Sequence, residues 1–223
     1  TNTYSNGKTL SATVDANNKR SKTATVTFTG DGIDLVSACG PKTGMQLIIV
    51  KDKDGKSVKA SIVDTYYADD SFSQVPIFSF RGANGTYTVE ATALYLTTSG
   101  AVIANGGSKS GIKNNLIDTG LVMNSSENLN TAEVQAMLDA AGVEDVDAEN
   151  LELVWFDDNS VFNGGTGVAP TKKGTRAETS SVALENYLDG FRIYNPLGAT
   201  SGKYTESERY ASYVNVINNL APV

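Results

Sequence analysis

The sequence predicts a mainly β protein: a jelly-roll-type β-sandwich with an inserted helical segment and a C-terminal helix. Three observations predict it. Short apolar runs of strand length recur through the first half, separated by Gly, Asp and Asn turn residues. One of them, Ala24–Thr29, alternates strictly, with Ala24, Val26 and Phe28 on one face and threonines on the other. Helical periodicity with capping residues appears only in the second half. The 223 residues suffice for one large domain or two small ones. No linker separates two units, so a single domain is expected. Residues 1–99 and 181–200 form the sandwich, 100–180 the insert, and 201–223 the final helix.

The elements follow in order. Ala24–Thr29 is a strand, and Thr29-Gly-Asp-Gly32 punctuates it. Ile33–Ser37 and Met45–Lys51 are short strands. Asp52-Lys-Asp-Gly55 is a hairpin turn, because Asp-Gly supplies the positive-φ residue a tight turn needs. Val58–Thr65 returns from it. Gln74–Phe80 is apolar enough for a buried strand, with Pro76 marking an edge or bulge. Asn84-Gly85 is a second hairpin signal, leading into Thr86–Leu96. Residues 97–120 are rich in Gly, Ser and Asn and read as a loop with at most short strands.

A helix follows. Asn130 caps it, Glu133 completes a capping box, and Val134, Met137, Leu138 and Ala141 share one face before Gly142 ends it. Asp145–Asn150 is a further short helical turn, Leu151–Phe156 an alternating strand, and Asn163–Arg176 a loop. Val182–Tyr194 holds one strand or two, and Asp189-Gly190 can make a bulge or turn inside it. The last helix spans Thr205 to Leu220, capped by Thr205 and Glu208, with Tyr210, Tyr213, Val214 and Ile217 on its apolar face.

Composition excludes several functions. Hydrophobic residues are 40% and charged residues 19%, a foldable mixture. Mean hydropathy is −0.21, and no apolar run approaches the roughly 18–20 residues of a membrane span. Eighteen basic against 25 acidic side chains give a net charge of −7. Broad attraction to nucleic acid or anionic lipid is therefore not expected. Without histidine there is no His-ligated metal, Ser-His-Asp triad or Cys-His pair. Cys39 is alone and forms no internal disulfide. Abundant Gly, Ala, Ser, Thr, Asn and Asp with almost no Cys is common in exported proteins of Gram-positive anaerobes. The chain begins at Thr1 rather than Met, the expectation for an excised or mature segment.

Four stretches resemble a known family. They are Val26-Thr-Phe-Thr-Gly-Asp-Gly-Ile-Asp-Leu-Val-Ser37, Gln74-Val-Pro76, Gly85-Thr-Tyr-Thr-Val89 and Tyr187-Leu-Asp-Gly-Phe-Arg-Ile-Tyr-Asn-Pro-Leu-Gly198. In content and order they are similar to jelly-roll modules of very large surface proteins of gut Firmicutes. The resemblance covers residues 20–96 and 181–220. Where those modules have a short connection, this chain has residues 100–180, with the capped helix and the only tryptophan. Among such modules, the starch-adherence domains of gut bacterial amylosomes combine a sandwich with helices. That likeness implies an α-glucan ligand, although no ligand residue matches one by one.

Two clusters offer sugar-binding chemistry, which needs flat aromatic faces beside polar groups. The first is Tyr66-Tyr67-Ala-Asp69-Asp70; in an extended segment its two tyrosines point to opposite faces. The second is Trp155-Phe-Asp157-Asp158-Asn159, where Trp155 shares a face with Leu151 and Leu153. The expected site is a cleft between sandwich and insert. Trp155 and one of Tyr66 or Tyr67 stack on sugar there, and Asp69, Asp157 and Asn159 hydrogen-bond it. The plainer reading packs all three aromatics into the core.

Asp157, Asp158 and Asn159 offer oxygen ligands for Ca²⁺ but lack the full EF-hand spacing, a weak signal; no metal and no cofactor is the expectation. Nothing sets an acid against a nucleophile, so no catalysis is expected. The expected protein is a secreted or cell-surface module of a Gram-positive bacterium. It is a monomer within a larger multidomain protein and binds starch or maltooligosaccharide. It neither binds nucleic acid nor inserts into a membrane. The alternative is an adhesin or stalk module with a protein ligand or none.

Overall fold

A computed structural model describes residues 9–96, 102–104, 110–113, 121–144, 146–157, 160–163 and 183–194. Within these, the chain is mainly β. The strands are β1 (Leu10–Val14), β2 (Ala24–Cys39), β3 (Met45–Lys51), β4 (Ser57–Asp64), β5 (Phe72–Leu94), β6 (Ser110–Lys113), β7 (Val122–Ser126), β8 (Glu152–Trp155) and β9 (Leu184–Tyr194). One α-helix, α1 (Thr131–Ala140), and two 3₁₀ turns, Ala148–Asn150 and Val161–Asn163, complete the described elements. The expected helix at 205–220 lies outside the described residues.

The strands form one sheet in the order β1-β9-β2-β5-β3-β4-β8-β7-β6. β4 and β8 run parallel, while the other neighbouring pairs are antiparallel. The strands that carry the quoted motifs, β9, β2 and β5, are adjacent.

Two expected turns are not turns. β2 runs straight through Thr29–Gly32, and β5 through Asn84-Gly85. The two strands pair with each other on both sides of these sites, from Ala24↔Ala91 to Gly30↔Gly85 and again from Gly32↔Arg81 onward. Between the last two pairs β5 has extra residues, so the glycines sit at a bulge rather than a hairpin. The partner strand supplies the ladder hydrogen bonds, which outweigh the local turn signal. The other signals hold. Gly55 has φ +81° in the β3–β4 hairpin, and the Asp52 carboxylate accepts the backbone N–H groups of Asp54 and Lys56. Pro76 sits at a register shift opposite Val36, and Asp189 is the extra residue opposite Val36 and Ser37. β9 is one strand.

The alternation of the central strands divides the core. Ile48, Val50, Val63, Val154 and Phe156 join Val26, Phe28, Leu35 and Phe191 in one apolar cluster. Met45, Leu47, Ile49, Ile62, Leu153 and Trp155 point the other way, against Val134, Met137 and Leu138 of α1. β3, β8 and the second half of β4 are thus covered on both faces, which fits the near-continuous apolar sequences of β3 and β8. At the start of α1, the Asn130 side chain accepts the Glu133 N–H at 3.5 Å; at its end, Gly142 has φ +69°. On the outer face, threonines pair across the strands: Thr23 with Thr92, Thr27 with Thr88, and Thr29 with Thr86.

Candidate functional site

The expected sugar cleft is not assembled by its expected residues. Trp155 and Tyr66 are both 0% exposed. β8 pairs with β4 so that Trp155 lies opposite Asp64, with the indole turned into the helix-covered core. The indole meets the Phe162 ring edge-on, centroids 6.4 Å apart. No sugar ring can reach either face of that indole. This corrects the expectation for both aromatics, and the reason is pairing. β8 lies between β4 and β7, and an apolar cluster covers each of its faces, with Val154 in one and Leu153 and Trp155 in the other.

Nearby carboxylates hold the chain together. Buried Asp64 accepts the Tyr66 N–H at 3.1 Å and the Val161 N–H at 2.9 Å. Asp157 accepts the Ala68 N–H at 2.7 Å, which ties the segment after β4 to the end of β8. Asn159 lies outside the described residues.

Tyr67 fares differently. It is only half-buried, and its ring meets Phe72 edge-on at 5.4 Å. Asp69 and Asp70 beside it are exposed. Partial burial, and then the charges of Asp69, Asp157 and Asp70, raise the Tyr67 phenol above the ordinary tyrosine value. Tyr67 and Asp69 are therefore the expected site residues that remain together at an accessible surface. Among the described residues, no group of three His, Cys, Asp or Glu side chains is placed to hold a metal ion.

A concavity lies elsewhere. A groove of about 330 Å³ opens between β1 and the first half of β9 on one side, and β3, β5 and the residues entering β2 on the other. Its lining includes Ala12, Gln46, Ala91, Ala93, Asn186 and Leu188. The sequence reading missed it because β1 was not anticipated. One signal was present: in Leu184-Glu-Asn-Tyr-Leu188, Asn186 falls on the same face as two leucines.

Cys39, 1% exposed, is a core residue, and burial followed by the Asp64 charge pushes its thiol far up. Asp34 takes the Arg81 guanidinium at 2.9 Å, the Ser79 hydroxyl at 2.8 Å and the Tyr194 hydroxyl. That guanidinium lies 3.4 Å from the Tyr194 ring centroid, so it covers one face of the ring.

No protein-family model matches the chain, and no curated protein matches it significantly. No helix among the described residues is long and apolar enough to cross a membrane.

Proposed function

We propose that this chain is a non-catalytic carbohydrate-binding module of a secreted or cell-surface bacterial protein. Its fold is read as a jelly-roll-type sandwich with residues 100–180 inserted. The adjacency of β9, β2 and β5, which carry the quoted motifs, supports that reading. Sugar is met at the Tyr67 edge and not in a Trp155-lined cleft. The observation that carries the proposal is Tyr67 itself, half-buried beside Phe72 and flanked by exposed Asp69 and Asp70. A fixed aromatic edge next to carboxylate acceptors suits the C–H faces and hydroxyls of a sugar. Starch and maltooligosaccharides come first as ligands, on the resemblance to starch-adherence domains. With so few contacts, affinity falls in the roughly micromolar to millimolar range.

A second reading, an adhesin or stalk module, is favoured by the complete burial of Trp155 and Tyr66. Calorimetric titration with maltooligosaccharides, against cello- and xylo-oligosaccharides, separates the two. The expected result is saturable heat with the α-glucan alone, weakened about tenfold in Tyr67→Ala. Silence with every glycan overturns the proposal in favour of the stalk.

A further inference from the structure

Asn186 is 4% exposed and lines the groove between β1–β9 and β3–β5. Neither its amide nitrogen nor its amide oxygen has a hydrogen-bond partner among the described residues. That is unusual, because buried polar groups in folded proteins are nearly always bonded. Its neighbour in the lining, Gln46, follows the rule: it donates to the Ser37 hydroxyl at 3.0 Å and to the Tyr187 carbonyl at 3.3 Å. Asn186 is the exception within the same polar floor.

β9 fixes where this amide stands. Asn186 pairs with Ala12 of β1, and Leu184 and Leu188 precede and follow it on the same face. The apolar face of β9 is therefore interrupted at the groove. The walls are small and apolar at Ala12, Ala91 and Ala93. Among the described residues of the lining Lys22 is the one charged residue, and it is exposed. A charged ligand would find no buried counter-charge there. The volume lies at the small end of the roughly 300–1,000 Å³ typical of small-molecule sites. Apolar wall area with a few placed polar groups, here Gln46, Asn186 and the hydroxyls of Ser21 and Thr23, is a usual composition of such sites.

We propose that this groove is a second binding site, for a single neutral hexose unit in α-glycosidic form. Both amide atoms are covered in this structure; turned toward the groove about its side-chain torsions, the amide offers a donor and an acceptor side by side, and two adjacent sugar hydroxyls complement that pair, one accepting and one donating. The apolar face of the sugar ring lies against the alanines. This site is separate from the Tyr67 edge and does not depend on it.

The test is a ¹H–¹⁵N NMR titration of the whole chain with methyl α-glucoside to about 50 mM, a range suited to millimolar affinity. Methyl glucuronide serves as the charged control. The expected result is saturable movement of the Asn186 side-chain amide and of the Ala91, Ala93 and Leu188 backbone amides. The glucuronide leaves them in place. Asn186→Leu, similar in shape, abolishes the shifts and raises the thermal midpoint, because it removes an unpaired buried amide. A structural asparagine would do the opposite and lower the midpoint. Asn186→Ala serves as a second variant should leucine misfold. Tyr67→Ala leaves the groove shifts unchanged. Shifts that persist in both Asn186 variants, or that appear only around Tyr67, overturn the proposal. No response to methyl α-glucoside also overturns it. If maltooligosaccharides still give heat in calorimetry, the groove site fails and the Tyr67 reading stands.

Discussion

Trp155→Ala tests the central correction most directly. The indole is 0% exposed, packed on α1 and on the edge of Phe162. Truncating a buried Trp to Ala usually costs about 3–5 kcal/mol. One feature lowers the figure. The indole N–H has no hydrogen-bond partner among the described residues, so truncation also removes an unpaired buried donor. Such a donor costs about 1–3 kcal/mol, which places the loss at about 2 kcal/mol. Against a total stability of roughly 5–15 kcal/mol, that is a large fraction. Trp155→Phe keeps most of the ring volume and removes the donor, so it costs about 1 kcal/mol or less. The assay is urea unfolding followed by far-ultraviolet circular dichroism, since the alanine variant has no tryptophan left to report. The expected midpoints fall in the order wild type, then phenylalanine close behind, then alanine far below. Any glycan affinity is equal in wild type and Trp155→Phe. An alanine variant within about 1 kcal/mol of wild type, with an unchanged urea slope, would refute the burial argument. A loss of glycan binding in a fully stable Trp155→Phe protein would refute it as well.

Two further perturbations probe the frame and the Tyr67 edge. A Cβ at Gly32 would stand 2.6 Å from Arg81 Cδ and 2.7 Å from the Phe80 carbonyl oxygen. Gly32→Ala therefore costs about 1–3 kcal/mol, lowering the thermal midpoint by about 2–4 °C per kcal/mol. Adding Arg81→Ala relieves one contact and leaves the backbone one, so the double variant is not rescued; an unchanged midpoint in Gly32→Ala contradicts the close approach. The Tyr67 phenol is raised in the folded chain by burial and by neighbouring carboxylates. The folded state thus holds this proton more tightly than the unfolded one. The associated stability is complete below the ordinary tyrosine value of about 10 and is lost as pH climbs through the raised value. Burial and then Asp15 raise the Tyr95 phenol as well, so phenolate absorbance during alkaline titration should show late-ionising tyrosines, one fewer in Tyr67→Phe.

Local chemistry determined those features whose cause lies within a few residues. The Asp52–Gly55 hairpin, the bulges at Pro76 and Asp189, and the Asn130 cap each depend on side chains next to the backbone they shape. The alternation that put Trp155 with Leu153, and Phe156 with Val154, was equally legible, because the side-chain period of a strand is two. Which of those faces met water was not legible. That depended on β8 lying parallel to β4, nearly ninety residues away, and on α1 covering the outer face. Gly30, Gly32 and Asn84-Gly85 carry turn chemistry, yet they became a bulge because β2 and β5 pair across it. Asn186 gave only a faint signal, a polar residue on an apolar face. Tertiary packing then placed Ala12, Ala91 and Ala93 around it and left its amide without a partner among the described residues. Sequence sets the conformations open to each segment; burial and the supply of hydrogen-bond partners are properties of the assembled sheet.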